Sequence, residues 1–288
     1  MCNILVTGGE GQLAKEIASI REDYYSWNFF IKNKKDLDIL DLQGLESFIV
    51  ENEIDVVINC AAYTNVEKAE EEKDLAYAVN AIGVKNIAEV SKTHKVKLIH
   101  ISTDYVFDGE SSTVYSELDE PRPINVYGKT KLAGENFLKE IGPDNSIIIR
   151  TSWLYSAFGN NFVRTMLRLG EEKSTLNVVS DQVGSPTYAK DLAKGLMEII
   201  PKIANKGTQV YHYSNEGSAS WFDFAVAIMS ISGKECQVFP VLSHEYKTKA
   251  QRPKNCVLEC EKIKTKFDIE QWHWKTSLEK CLYLLGDY

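Results

Sequence analysis

The first 150 residues alternate short apolar runs with longer stretches of helical periodicity, and this alternation constrains the fold more than any other feature. The predicted strands lie at residues 4–6, 29–31, 56–59, 98–101 and 147–149. Strands buried on both faces of a parallel sheet have such nearly continuous apolar runs. Strands that alternate with helices predict β-α-β units, with helices covering both faces of the sheet. We therefore predict an α/β fold with a doubly wound parallel sheet.

The chain after Arg150 has a looser pattern and holds four of the five tryptophans. Over the whole chain, helices are predicted at 11–20, 45–51, 66–93 with a break near Asn80, 127–141, 161–169, 188–200, 221–232 and 277–285, and the later strands at 177–179, 210–213 and 238–241. We predict a first domain over 1–150, joined by parts of 175–205. A smaller C-terminal α/β domain over 151–174 and 206–288 is predicted to build a pocket on it.

Composition excludes several functional classes. The 288 residues have a net charge of −8 with no basic block, which argues against nucleic acid or an anionic membrane as a partner. The N-terminus lacks a basic segment followed by a long apolar one, and no apolar run is long enough to cross a bilayer, so a cytoplasmic protein is expected.

The cysteines and histidines do not form a recognisable metal motif. The six cysteines include no Cys-x-x-Cys pair, so reduced and mostly buried thiols are expected. Cys256 and Cys260 have no second ligand pair at zinc spacing. His100 lies inside an apolar run and is predicted to be a core residue rather than a ligand.

The junction between the first strand and the first helix has the pattern Gly8-x-x-Gly11-x-x-Ala14. Glycine there permits a tight turn and a close approach of a pyrophosphate to the backbone, and the helix N-terminus then faces the phosphates. A small residue at the third position lets the helix pack on the strand. This context predicts a Rossmann-type dinucleotide site.

Three lysines follow the second strand, and they bear on the choice of cofactor. An acid at this point usually holds a ribose 2′-hydroxyl, whereas a base accommodates a 2′-phosphate. The chain has Lys32, Lys34 and Lys35, with no acid before Asp36. The pattern favours NADPH, with NADH as the alternative; a solvated basic turn would have the same sequence.

Hydroxyl, phenol and ammonium groups are predicted to meet at the carboxyl edge of the sheet. Thr103 ends the fourth strand, where its hydroxyl can hydrogen-bond a substrate carbonyl. Tyr127 and Lys131 are four residues apart and share one helix face. A nearby ammonium, helped by a bound cationic nicotinamide after transfer, favours the phenolate and is expected to lower the pKa of Tyr127. The phenol could then supply a proton to a developing alkoxide. Together these groups predict an active site for hydride transfer.

These motifs resemble the short-chain dehydrogenase/reductase superfamily, in its extended branch acting on nucleotide sugars, and most closely the dTDP-4-dehydrorhamnose reductase family. The matching segments are 11–13 (Gly-Gln-Leu), 61–70, 102–109 (Ser-Thr-Asp-Tyr-Val-Phe-Asp-Gly), 127–135, 150–155, 159–162, 181–187 and 252–255. The resemblance covers nearly the whole chain. It implies reduction by NADPH of the C4 ketone of dTDP-4-dehydro-β-L-rhamnose to dTDP-L-rhamnose, the last step of dTDP-rhamnose biosynthesis.

The same resemblance implies roles for individual residues. It makes Thr103, Tyr127 and Lys131 the catalytic set. The cofactor residues it implies, with Lys32 added from the basic turn, are Gly8, Gly11, Gln12, Leu13, Lys32, Asp38, Ile39, Ala61, Ala62, Tyr63, Tyr127 and Lys131. The implied nucleotide-sugar residues are Thr64, Val66, Asp104, Tyr105, Trp153 and Arg252.

Two features depart from the family. Cys256 replaces a frequent serine, and the segment beyond it is the least similar. Some members dimerise through magnesium held by glutamates; Glu16 matches one such position, but no acid lies at the second, near Lys190. No metal is therefore predicted, and a homodimer is left open.

Two other functions share this set of motifs. The chain could be another nucleotide-sugar reductase, epimerase or dehydratase, although dehydratases of this branch usually have a glutamate where this chain has Tyr105. It could also be a non-catalytic, NADP-binding regulatory subunit, because a Tyr-Lys pair alone does not guarantee turnover.

Overall fold

A six-stranded parallel sheet organises residues 2–286, which are the residues that the computed structural model describes. Its strands are β1 (Cys2–Thr7), β2 (Trp27–Lys32), β3 (Val56–Asn59), β4 (Lys97–Thr103), β5 (Ser146–Thr151) and β10 (Thr208–His212). They lie in the order β10-β5-β4-β3-β1-β2. The predicted doubly wound α/β fold is confirmed.

Helices connect these strands and pack on both faces of the sheet. The helices are α1 (Gln12–Ile20), α2 (Leu42–Glu51), α3 (Val66–Ala69), α4 (Lys73–Tyr77), α5 (Gly83–His94), α6 (Val126–Ile141), α7 (Phe162–Glu172), α8 (Ala189–Ile199), α9 (Trp221–Ile231), α10 (Glu261–Phe267) and α11 (Trp274–Leu285). One apolar core joins the sheet to α1 and α8, and a second joins its other face to α2 and α5. The sequence analysis did not predict α10.

The long helix predicted over 66–93 is divided in the structure. It consists of α3, α4, a π-helical turn at Ala78–Ile82 and α5. The π turn contains Asn80, where a break was predicted. Its amide exchanges hydrogen bonds with the backbone of Tyr63, at 2.8 and 3.1 Å, and so fixes the loop after β3.

The C-terminal part forms small sheets and an aromatic core beside the large sheet. The short strands are β6 (Leu154–Tyr155), β7 (Thr175–Val179), β8 (Val183–Gly184), β9 (Thr187–Tyr188), β11 (Ala219–Ser220) and β12 (Gln237–Val241). They pair as β7 with β12, β6 with β9 and β8 with β11. Residues 208–212 lie in the range that the sequence analysis gave to the smaller domain, yet β10 is hydrogen-bonded to β5 in the large sheet. The two-domain division remains a prediction.

Helix α6, which carries Tyr127 and Lys131, is fixed to the sheet by a buried ion pair. The Arg150 guanidinium donates to both Glu135 carboxylate oxygens, at 3.0 and 2.7 Å, and the Ser102 hydroxyl donates to the same carboxylate at 2.6 Å. Burial alone would raise the pKa of Glu135, but Arg150 holds that pKa below its usual value.

Two glycines bring α6 close to its neighbours. A Cβ at Gly128 would lie 2.1 Å from the Tyr105 carbonyl oxygen, and one at Gly134 would lie 2.1 Å from the Asn80 carbonyl oxygen. No larger residue fits at either position without moving the helix. The ion pair and these two contacts together determine where Tyr127 and Lys131 lie. Within residues 2–286, no helix is both long and apolar enough to span a membrane.

Replacing Glu135 with alanine is expected to destabilise the fold strongly. The Arg150 side chain is 2% exposed and the Glu135 side chain 0% exposed. The variant would leave the Arg150 charge buried without its partner. Breaking such a pair typically costs about 3–5 kcal/mol. Urea unfolding of both proteins measures the loss in the free energy of unfolding.

Glu172→Ala is the matched control, since Glu172 pairs with Arg168 on an exposed helix face. That pair should contribute no more than about 0.5 kcal/mol. Equal losses in the two variants would contradict the anchoring role of Glu135. Because the pKa of Glu135 is lowered in the folded state, its contribution should be complete above the unfolded-state pKa and disappear as the pH falls through the folded-state value.

Candidate active site

A cleft of about 830 Å³ lies at the carboxyl edge of the large sheet and is lined by both parts of the chain. Open α/β sheets bind their ligands at this edge. The predicted site residues in its lining are Gly8, Gly11, Gln12, Leu13, Asp38, Ile39, Ala61, Ala62, Tyr63, Thr64, Val66, Thr103, Asp104, Tyr105, Tyr127, Lys131, Trp153 and Arg252. The structure therefore places together every predicted residue except Lys32.

The turn after β1 contains three glycines, and Glu10 is the one residue between Gly8 and Gly11 that has a side chain in the cleft lining. Gly8 has φ +69°, and a Cβ there would lie 2.7 Å from the Ala61 backbone nitrogen. Gly11 is the N-cap of α1, and no side chain caps this helix. The first N–H groups of α1 therefore remain available to an anion, as a pyrophosphate site requires.

The basic turn after β2 places its lysines differently. The Lys32 ammonium lies over the Phe48 ring, 5.2 Å from its centroid, and Lys32 is outside the cleft lining. Lys34 and Asn33 line the cleft, and Lys34 lies 3.9 Å from the Asp38 carboxylate. Strand β2 runs one residue beyond the predicted end, so the Lys32 side chain belongs to the sheet rather than to the turn.

Tyr127 and Thr103 form the polar centre of the cleft. Burial raises the pKa of Tyr127 to about 12, against the effect of a hydrogen bond with Thr103, which lowers it. The lowered pKa expected from the sequence is not found in the protein alone, because burial and the Asp104 charge raise the pKa and only the Thr103 hydrogen bond lowers it. The phenol is therefore a neutral proton donor across the physiological pH range.

Lys131 lies one turn further along α6 and is 1% exposed. Its ammonium donates to the Ile101 carbonyl oxygen at 2.7 Å. Burial lowers the pKa of Lys131 to about 8, against the effects of Glu135 and Cys60, which raise it. The Lys131 ammonium therefore loses its proton more readily than an exposed lysine does.

Asp104 and Tyr105 lie beside Tyr127. Burial raises the pKa of Asp104 to about 7, and its Oδ2 is buried without a hydrogen-bond partner, while Oδ1 accepts from the Thr103 hydroxyl at 2.9 Å. The Tyr105 ring contacts the Tyr127 ring edge to face, with centroids 5.8 Å apart. An unpaired buried carboxyl oxygen beside the cleft can accept a hydrogen bond from a ligand hydroxyl, or donate one when protonated.

Two tryptophans form one wall of the cleft. The rings of Trp153 and Trp221 are stacked with centroids 3.5 Å apart and an interplanar angle of 6°. Trp153 has φ +44°, and a Cβ at Gly184 would meet its ring at 2.6 Å. Trp221 begins α9 and was not predicted as a site residue from the sequence. The aromatic enrichment after Arg150 was the only signal for it.

Arg252 enters the cleft from the C-terminal part of the chain. Its Nη2 donates to Glu67 at 3.0 Å, while its Nε is buried without a partner. The sequence analysis also missed Gly159, Asn160 and Asn161 as lining residues, although it quoted that segment as a family motif.

Glu16, the position compared with a magnesium ligand, is 1% exposed. It accepts hydrogen bonds from the hydroxyls of Ser156 at 2.6 Å and Ser19 at 3.3 Å. Among the described residues, no three His, Cys, Asp or Glu side chains are grouped so that they could share a metal ion.

Comparisons with known proteins cover nearly the full chain. The sequence model of the RmlD substrate binding domain matches residues 2–286. A dTDP-4-dehydrorhamnose reductase from Aggregatibacter actinomycetemcomitans is 40% identical, over 97% of this chain and 98% of that protein.

Solved structures give the same result. The crystal structure of a dTDP-4-dehydrorhamnose reductase from Clostridium acetobutylicum matches with a TM-score of 0.93 and 43% identity, over 99% of both chains. The Bacillus anthracis enzyme of that name, crystallised in complex with NADP, matches with a TM-score of 0.93 and 40% identity, over 99% of this chain and 100% of that one. The chain therefore belongs to the RmlD substrate binding domain family, the family of the dTDP-4-dehydrorhamnose reductases.

Proposed function

We propose that the protein uses NADPH to reduce the C4 ketone of dTDP-4-dehydro-β-L-rhamnose to dTDP-L-rhamnose. The observation that carries this proposal is one cleft that holds a glycine cradle for a dinucleotide together with Thr103, Tyr127 and Lys131. The names of the relatives in the comparison, and the NADP bound to one of them, support the same reaction.

The lining residues fit a dinucleotide. The glycine turn at Gly8 and the uncapped N-terminus of α1 suit its pyrophosphate. Lys34 suits a 2′-phosphate, and the small residues Ala61 and Ala62 leave room across the sheet edge. When bound, the reduced nicotinamide supplies the hydride.

The protein's own groups then handle the oxygen and its proton. With the substrate bound, the Thr103 hydroxyl would turn away from Asp104 Oδ1, to which it donates in the protein alone. It and the Tyr127 phenol would then both donate to the C4 carbonyl oxygen and polarise it. As the hydride adds to C4, the Tyr127 phenol gives its proton to the developing alkoxide. The Lys131 ammonium, one helical turn away, stabilises the phenolate that this step leaves.

The substrate side of the cleft is built mostly from the chain after Arg150, with Asp104 from the first part. The stacked pair of Trp153 and Trp221 offers an apolar face to a deoxysugar, and Arg252 offers a charge to a diphosphate. The unpaired Oδ2 of Asp104 is available to a sugar hydroxyl. These residues would orient C4 toward the hydride and the phenol.

The site favours reduction over dehydration and over a purely regulatory role. A dehydratase needs an acid–base pair to eliminate water, and Tyr105, whose pKa is raised by burial, is no base where such enzymes have a glutamate. A regulatory subunit needs no proton donor, whereas Tyr127 is a buried phenol hydrogen-bonded to Thr103 at the centre of the cleft.

We also propose that the protein is cytoplasmic and that any homodimer forms without a metal ion. Six free cysteines fit a reducing cytoplasm, which also supplies NADPH. A homodimer would need no metal at Glu16, since the serine hydroxyls already bind its carboxylate.

The direct test supplies the purified chain with NADPH and dTDP-4-dehydro-L-rhamnose. The expected result is one NADPH oxidised per sugar reduced, followed at 340 nm, because a ketone already at C4 needs only a hydride and a proton. With dTDP-glucose alone and no added reductant, no product is expected. A 4-keto-6-deoxy product from dTDP-glucose would instead support a dehydratase, and no NADPH oxidation with any nucleotide 4-keto-sugar would support a regulatory subunit.

Cofactor choice should depend on Lys34 and not on Lys32. Lys34→Glu should raise the KM for NADPH more than that for NADH, since only NADPH carries the 2′-phosphate that the ammonium would face. Lys32→Glu is the matched control, because Lys32 lies over Phe48 outside the cleft. Equal effects of the Lys34 variant on both cofactors would mean that Lys34 belongs to a solvated turn.

A further inference from the structure

His100 is a buried histidine that the proposed reaction does not use. It is 0% exposed, and its side chain lies between Asn59 of β3 and Lys131 of α6. The prediction that it is a core residue is confirmed, but its two ring nitrogens both have polar neighbours. The Nδ1 atom lies 3.0 Å from the Asn59 Nδ2, and the Nε2 atom lies 3.4 Å from the Lys131 Nζ.

The orientation of the Asn59 amide is fixed by its other contacts. Its Oδ1 accepts from the Thr7 hydroxyl at 2.7 Å and from the Ala61 backbone N–H at 3.2 Å. The Ala61 N–H, which also donates to the Thr7 hydroxyl oxygen at 3.3 Å, can only donate, so an NH₂ group facing it would place two donors together. The oxygen of the Asn59 amide therefore faces Ala61, and its NH₂ group faces His100. The Asn59 amide therefore donates to the Nδ1 atom of His100.

This contact fixes the tautomer of the ring. An Nδ1 that accepts a hydrogen bond carries no proton, so the neutral imidazole carries its proton on Nε2. Burial lowers the pKa of His100 well below its usual value, with the Lys131 charge acting in the same direction, so the ring stays neutral. The Nε2–H bond then points toward the Lys131 nitrogen.

An N–H group facing Lys131 acts differently on the two forms of this side chain. An ammonium has three donors and no lone pair, so it cannot accept from His100. A neutral amine can accept, while still donating to the Ile101 carbonyl oxygen. The contact therefore favours the amine.

We propose that His100 is a positioning residue that lowers the proton affinity of Lys131 through its Nε2–H group. This inference rests on the proposed function for one consequence only: the ammonium that stabilises the Tyr127 phenolate would be lost as the pH rises, so His100 would set the upper pH limit of turnover.

None of the other titratable side chains named here lowers the proton affinity of Lys131 as His100 would. Glu135 on the same helix and the Cys60 thiol after β3 both raise the pKa of Lys131, but Arg150 already neutralises Glu135 and burial raises the pKa of Cys60 to about 12. Tyr127, whose pKa is raised by burial to about 12, is also neutral. Burial lowers the pKa of Lys131 to about 8, in the direction that the geometry requires.

The tautomer of His100 can be measured directly in the protein without cofactor or substrate. Long-range ¹H–¹⁵N correlation of ¹⁵N-histidine-labelled protein should show an unprotonated Nδ1 and a protonated Nε2 for His100. His212 is an internal control, because its Nδ1 faces the Tyr115 carbonyl oxygen at 3.1 Å and should carry the proton. A proton on the Nδ1 of His100 would overturn the proposal.

The coupling to Lys131 is tested by replacing Asn59 with aspartate. The carboxylate would accept from the Nδ1 of His100, so the Nε2 lone pair would face Lys131 and accept from its ammonium. The pKa of Lys131, followed by the ¹³Cε shift of labelled lysine, should rise by roughly 1 unit. With turnover measured, the alkaline fall in kcat should move to higher pH by the same amount.

A second variant separates the tautomer from the added charge. Asn59→Asp with His100→Leu keeps the carboxylate and removes the ring that transmits its effect. Most of the rise in the pKa of Lys131 should then be lost; an undiminished rise would show a charge effect alone and overturn the proposal. Because these NMR measurements need no turnover, a protein that reduces no keto-sugar but gives the expected shifts would contradict the proposed function and leave the His100 proposal supported.

Discussion

The buried ion pair between Glu135 and Arg150 is the interaction on which the site depends most. It joins α6 to β5, and the Ser102 hydroxyl joins the same carboxylate to β4. Gly128 and Gly134 let the helix lie against the backbone at Tyr105 and Asn80, at a separation that any side chain would prevent. The phenol and the ammonium that the reaction needs are carried by this one helix, so its position on the sheet decides whether they meet the substrate.

Burial then sets the charge state of those groups. In the protein alone it raises the pKa of Tyr127 to about 12 and that of Asp104 to about 7, and it lowers that of Lys131 to about 8. All three shifts favour the uncharged form, as expected for groups removed from water. A neutral phenol in the cleft can deliver a proton to an alkoxide. The Lys131 ammonium loses its proton readily, which makes turnover depend on pH.

Much of the fold could be predicted from the sequence, because the apolar runs and the glycine turn at Gly8 report local structure directly. The features of the site that the sequence did not reveal depend on contacts between residues that are distant in sequence. Lys32 and Lys34 look alike in the chain, and only the extent of β2 shows which one faces the cleft. Trp221 joins Trp153 only through tertiary packing. The pKa of Tyr127 depends on burial, which spacing along a helix does not reveal.

In the proposed mechanism the Tyr127 phenol supplies the proton at C4, and the turnover number of Tyr127→Phe tests this role most directly. The variant removes only the hydroxyl, and loss of a general acid should lower kcat by roughly 10²–10⁴-fold with little change in NADPH binding. Tyr155→Phe is the matched control, since Tyr155 is 1% exposed in the aromatic core and lies outside the cleft lining. A Tyr127→Phe enzyme that keeps the wild-type kcat and changes only the KM for the sugar would contradict the role of Tyr127 as proton donor.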